Sequence, residues 1–247
     1  MNSDPGVALV ARIPARKVVC FLALGIVILT LLSVGGQVVI FFVNHGKAVL
    51  SIDRVIDVNF EGNLPTWYSS ALLLLAALLL MACGQTEKKR GSAYVRYWTI
   101  LAAIFVFLSA DETAQFHDKS IKPLRHLLGA GGIFYFTWVI PGIIFTAVVG
   151  LWSLKFLASL DRKTRNSFIL AGFVYISGSL VMEMVDGIWA SRHGMNFFYF
   201  ILTDLEEVLE MVGVLVFIRA LLKFLSQGQS ESEIHSSEAR LKSTPTL

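Results

Sequence analysis

Cysteine is scarce in this sequence, and its two thiols exclude more than they suggest. Cys20 and Cys83 each lie near the end of an apolar run that later reads as cytoplasmic, so a structural disulfide is not expected and both read as small apolar fillers. There is no Cys-x-x-Cys pair and no Cys/His spacing suited to structural zinc. No internal repeat is present, which sets aside solenoids. The long apolar runs do not alternate with period two, which argues against a β-barrel. Basic residues are missing where acids are densest: no Lys or Arg falls within 111–118, 183–186 or 204–210. The net charge of +3 does not indicate a nucleic-acid partner, because the basic residues sit between the apolar runs.

What is abundant is apolar sequence. Of 247 residues, 55% are hydrophobic and the mean hydropathy is +0.67, above the roughly 45–50% apolar content of soluble domains. Apolar runs at about 18–43, 67–84, 97–117, 133–156, 168–190 and 198–224 are each near the ~20 residues that cross a hydrocarbon core. The expected fold is therefore all-α, a polytopic bundle of six transmembrane helices. Residues 1–17 form a basic cytoplasmic lead, 18–225 the membrane domain and 226–247 a polar, disordered cytoplasmic tail. The first run follows Arg12, Arg16 and Lys17 as a signal peptide would, but it is long and lacks a small-residue cleavage site, so it reads as a membrane helix.

The placement of Lys and Arg sets the orientation. Fifteen fall in the N-terminal lead, in the connections after the second and fourth runs and in the C-terminal part; six fall in the other connections. Positive charge stays inside, so both termini are expected in the cytoplasm, with 44–66, 118–132 and 191–197 facing out.

Several local expectations follow. Gly25, Gly35 and Gly36 allow close packing of the first helix. Residues 48–58 read as an interfacial amphipathic helix. In 61–70, Asn63 or Thr66 caps the next helix, Pro65 fits its first turn, and Trp67 and Tyr68 suit the interface. The other reading has Glu61 and Asn63 folding over a polar site as a rim. The Leu/Ala-rich second helix is expected to face lipid. Pro123 and residues 129–132 mark a flexible outer loop, and Pro141-Gly142 marks a kink.

Half of the 18 acids fall in three stretches: Asp111, Glu112 and Asp118; Glu183 and Asp186; Asp204, Glu206, Glu207 and Glu210. With the orientation above, all three lie in the outer half of the membrane. On regular helices, Asp111, Gln115 and Asp118 share a face with Glu112 on its shoulder, and Tyr175, Ser179, Glu183 and Asp186 form a stripe. His117 joins the acids only where the helix ends or another approaches. Ionisable groups at membrane depth are costly and usually functional. Carboxylates lacking a basic partner share protons or hold a cation. With one imidazole, they suit a divalent ion such as Ca, Mn, Fe or Zn. Asp111, Asp118, Glu183, Asp186, Asp204 and Glu207 are the candidate metal ligands; Glu112, His117 and Glu210 are the candidate acid–base residues. The competing reading is structural: 203–206 fits a capping box, which would make Asp204, Glu206 and Glu207 interfacial first-turn acids.

Two motifs carry a resemblance. The stretch from Glu61 through Pro65-Thr66-Trp67-Tyr68-Ser69-Ser70, and Leu108-Ser109-Ala110-Asp111-Glu112 followed by His117-Asp118, resemble an uncharacterised family of bacterial multi-pass membrane proteins. The resemblance implies a bacterial inner-membrane location and brings no activity. Ser109, Asp111 and His117 are more distantly similar to the ceramidase and progestin-receptor-like membrane hydrolases. That likeness stops short of their three-histidine zinc site, because no histidine pair lies on a late helix. Three functions follow as expectations. One is a metal-dependent hydrolase or transferase acting on a lipid or lipid-linked substrate. The others are a cation- or proton-coupled carrier, and a non-catalytic structural or sensing partner.

Overall fold

The computed structural model describes residues 14–43, 54–59 and 62–243, with side chains to residue 228. The described chain is helical, without strands. The helices are α1 (Ala15–Phe42), α2 (Leu64–Lys89), α3 (Val95–Ala114), α4 (Phe116–Leu128), α5 (Val139–Ser159), α6 (Arg162–Ile176), α7 (Glu183–His193) and α8 (Phe197–Ser243). A π-helical turn, Ser177–Met182, joins α6 to α7. Among the described residues, five helical spans are long and apolar enough to cross a membrane: α1, α2, α3, α5 and the continuous run Arg162–His193. The expected interfacial helix at 48–58 and Glu61 lie largely outside the described residues; 54–56 form one helical turn.

Helix boundaries follow local chemistry. Asn63 caps α2 by accepting from the Thr66 N–H at 3.2 Å, with Pro65 in the first turn. Asp161 caps α6; the Thr164 hydroxyl and the Thr164 and Lys163 N–H groups hold its carboxyl below the usual carboxylate range. α8 continues without a break through Thr203, so the expected capping box there does not start a helix. Its described backbone stays helical through 226–243.

α2 occupies the centre. Leu72, Leu73, Ala76, Leu80 and Cys83 are buried against α3 and α8, around Trp98, Ile218 and Leu221. The expectation that this helix faces lipid holds for one side only: Leu74, Leu78 and Met81 are exposed, while half of its apolar stretch is buried. Its Leu/Ala composition provides small, smooth faces that two neighbours can approach at once, whereas α1 and α5 expose most of their apolar side chains. The expected outer loop at 118–132 is also largely helix: Ile121, Leu124, Leu127 and Leu128 give α4 one apolar face. Pro141 falls in the first turn of α5, where no helical hydrogen bond is lost, so no kink is required there.

Two glycines set how closely α8 lies against the α6–α7 run. A Cβ on Gly213 would come 2.6 Å from the Tyr175 N, and one on Gly178 would come 2.8 Å from the Glu206 carbonyl oxygen. Gly25 does the same for Tyr68, whose hydroxyl donates to the Leu22 carbonyl at 2.6 Å. Gly213→Val should destabilise the protein by about 1–3 kcal/mol through overpacking. Gly150→Ala, which meets nothing within 4 Å, should leave the thermal midpoint unchanged or slightly raised. Thermal unfolding of the detergent-solubilised variants measures both.

Candidate functional site

The end of α3 builds the first wall. Gln115 adopts a left-handed conformation with φ 58°, which stops α3 at Ala114 and starts α4 at Phe116. This break folds His117 back over the last turn of α3. Its Nδ1 lies 2.8 Å from Asp111 Oδ2, and its backbone N–H donates to Asp111 Oδ1 at 3.1 Å. The regular-helix face of Asp111, Gln115 and Asp118 does not form. Asp118 sits half-exposed in the first turn of α4, with Oδ1 3.8 Å from His117 Nε2. The His117 ring packs on Trp138 at 4.9 Å, and Trp138 Nε1 donates to Glu183 Oε1 at 2.9 Å. Ser69 of α2 lies near Glu112.

The second wall comes from α7 and α8. The buried Glu206 carboxyl lies against those of Glu183 and Asp186. Glu206 Oε2 and Asp186 Oδ1 have no hydrogen-bond donor among the described residues. Thr203 Oγ1, which the capping-box reading makes a cap, lies 3.2 Å from both Asp186 Oδ2 and the Tyr199 carbonyl oxygen, either of which can accept its hydrogen. The π turn, with Gly178 in it, lets the α8 backbone at Glu206 and Glu210 approach this closely.

Between these walls lies a cavity of about 370 Å³, bounded by α3, α5, α6 and α8. Asp111, Glu112, His117, Glu206, Glu207 and Glu210 line it on one side. The remaining lining is mostly apolar, including Ile104, Phe105, Val149, Phe156, Phe168 and Phe217. Among the described residues, no Lys or Arg lines it. α5 forms its outer wall and touches the bundle mainly near its two ends. Trp152 and Phe156 stack on Tyr97, at 4.4 and 5.4 Å, while Gly142 meets Leu180 of the π turn.

The structure thus unites Asp111, Glu112, His117, Glu207 and Glu210 on one cavity, with Glu183 and Asp186 behind Glu206. Asp204 is elsewhere, hydrogen-bonded to Ser33, Gln37 and Asn59. Among the described residues, no three His, Cys, Asp or Glu side chains are grouped as a metal ion would need. Sequence reasoning missed Trp138, whose only signal was an indole beside the outer interface. It also missed Ser33 and Gln37, which are visible as an i, i+4 polar pair in an otherwise apolar helix.

The left-handed Gln115 is the pivot of the Asp111–His117 pair. Gln115→Gly should keep the pair and raise stability by up to about 1 kcal/mol. Gln115→Ile should lose about 1–2 kcal/mol, because a β-branched residue resists positive φ. Thermal midpoints read both changes.

Comparison with curated proteins and with solved structures returns no match. A family model described as a domain of unknown function, DUF8692, matches residues 19–224, which takes in every wall of the cavity. The chain belongs to the DUF8692 family.

Proposed function

We propose that the chain is a six-span protein of the cell membrane, with cytoplasmic termini, that takes a single-chain amphiphile into this cavity and acts on it as a hydrolase or transferase. In this reading α8 is the sixth span, its carboxylates turned inward, as intramembrane acids generally are. The excess of Lys and Arg in the connections assigned to the cytoplasm supports the orientation. The observation that carries the proposal is the two-part lining of one cavity: an acid–imidazole cluster on one side and aromatic and aliphatic walls over the rest. Ligand sites commonly combine a mostly apolar pocket with a few convergent polar groups.

The charge of the polar side selects the headgroup. Among the described residues, its ionisable lining includes five carboxyls and one imidazole, with no Lys or Arg. A phosphate there would meet like charge, whereas an amine or a hydroxyl-rich head would supply the donors that Glu206 Oε2 lacks. For hydrolysis, His117, oriented by Asp111, accepts a proton from water as its oxygen adds to an ester or amide carbonyl. A protonated carboxyl of the cluster returns a proton to the leaving group. Among the described residues the donor groups do not converge in threes, and the step is written with protein acids and bases. A cation carrier would need a polar route onward from Glu210. The helix beyond it instead presents Val214 and Phe217, opposite Phe168.

Photoactivatable probes of one chain length with amine, glucoside or phosphate heads test this reading in reconstituted membranes. The amine should cross-link most and the phosphate least, at cavity residues. Val149→Trp should cut cross-linking about tenfold, equivalent to about 1.4 kcal/mol. His117→Ala should retain cross-linking and lose turnover of extracted lipids. Equal labelling by the phosphate probe, or undiminished labelling of Val149→Trp, would contradict the proposal.

A further inference from the structure

A second buried polar cluster ties three segments together, and none of its side chains lines the cavity. Ser33 and Gln37 lie one turn apart on α1, Asp57 and Asn59 precede α2, and Asp204 comes from α8. Ser33, Gln37, Asp57 and Asp204 are 0, 1, 1 and 4% exposed.

The two carboxylates share their neighbours. Ser33 Oγ is 3.1 Å from Asp57 Oδ1 and 2.9 Å from Asp204 Oδ1. Gln37 Nε2 is 3.1 Å from each of those oxygens. Asn59 Nδ2 is 2.7 and 3.0 Å from them. One hydroxyl hydrogen cannot serve both acids, and no Lys, Arg or His forms an ion pair with either among the described residues. Gln37 Oε1, Asn59 Oδ1 and Asp204 Oδ2 are buried without a donor among the described residues. Asp57 Oδ1 also accepts the Asn59 backbone N–H at 2.9 Å; two acids this close in low dielectric repel one another unless one takes up a proton or a cation joins them.

We infer that Ser33, Gln37, Asp57, Asn59 and Asp204 form a structural binding site for a hard divalent cation of calcium size. A half-turn of each amide, which leaves its shape unchanged, exchanges N–H for carbonyl oxygen. The amide oxygens of Gln37 and Asn59 then take the places of their nitrogens beside Ser33 Oγ, Asp57 Oδ1 and Asp204 Oδ1, which makes five neighbouring side-chain oxygens with no sulfur or imidazole among them. That donor set selects hard cations, and two carboxylates balance a double positive charge. The present separations of 2.7–3.2 Å need to open by a few tenths of an ångström to hold an ion at about 2.3–2.6 Å from each oxygen. Magnesium prefers a tighter octahedron and keeps its waters, so it fits this sealed place poorly. The ion would pin the segment before α2 against α1 and α8.

The test uses the full chain in detergent, stripped with a chelator and titrated with calcium, magnesium or sodium. Calcium should raise the thermal midpoint saturably, and terbium luminescence should report one site from which calcium displaces it. Magnesium should act far more weakly. Asp57→Asn and Asp204→Asn should abolish the calcium increment. Asn59→Ala, at the half-exposed edge, should fold normally and weaken calcium binding roughly tenfold. Glu206→Gln and Asp111→Asn should retain the response. A folded wild type indifferent to calcium would overturn the inference, as would an equal response to sodium or to magnesium. Calcium binding unchanged in Asn59→Ala, or lost only in Glu206→Gln, would overturn it too, the latter by placing the ion at the cavity.

Discussion

The structure depends on burying carboxylates in an apolar bundle that, among the described residues, pairs them with no Lys or Arg. In hydrocarbon, an isolated carboxylate is far more costly than any single packing contact can offset. The chain meets this constraint by concentrating its acids in two places. At one, Glu183, Asp186 and Glu206 lie together behind a cavity shared with Asp111, Glu112, His117, Glu207 and Glu210. At the other, Asp57 and Asp204 share the donors of Ser33, Gln37 and Asn59. Both places join segments distant in sequence, so each acts as a folding restraint as well as a chemical site.

Helix packing around these sites is uneven. α2 and α8 form the centre, and Gly213 and Gly178 let α8 lie almost backbone to backbone on the α6–α7 run. α5 is held mainly near its ends, by Tyr97 against Trp152 and Phe156 and by Leu180 against Gly142. A helix pinned at its ends over an apolar cavity is the element best placed to move when an amphiphile enters. This links the weak packing of α5 to the proposed function.

Much of this was legible in the residues. The apolar runs place the five membrane-length helices within about six residues of their observed bounds, and Asn63 with Pro65 marks the start of α2 as observed. The convergence of helix ends bearing acids was also readable, because chain direction alone brings them to one side. Three features were not. The left-handed turn at Gln115 has no glycine to announce it, yet it decides that His117 meets Asp111 and Asp118 does not. The π turn after Ile176 changes the helical register in a way that 3.6-residue periodicity does not contain. The burial of α2 is decided by which neighbours approach it, since Leu and Ala suit lipid and a packed interior equally well. Asp204 illustrates the same limit: its spacing groups it with Glu207, but its partners lie on α1 and before α2.

The central claim, that Glu206 is a carboxyl reached through an amphiphile cavity, is tested most directly by chemical labelling in intact membranes. A hydrophobic carbodiimide partitions into lipid and modifies protonated carboxyls, and peptide mass spectrometry then locates the adduct. Modification at Glu206 and its neighbour Glu210, suppressed by a long-chain alkylamine but not by a short amine, is the expected result. Labelling confined to connecting-segment acids such as Asp161, or labelling of Glu206 indifferent to the alkylamine, would contradict it.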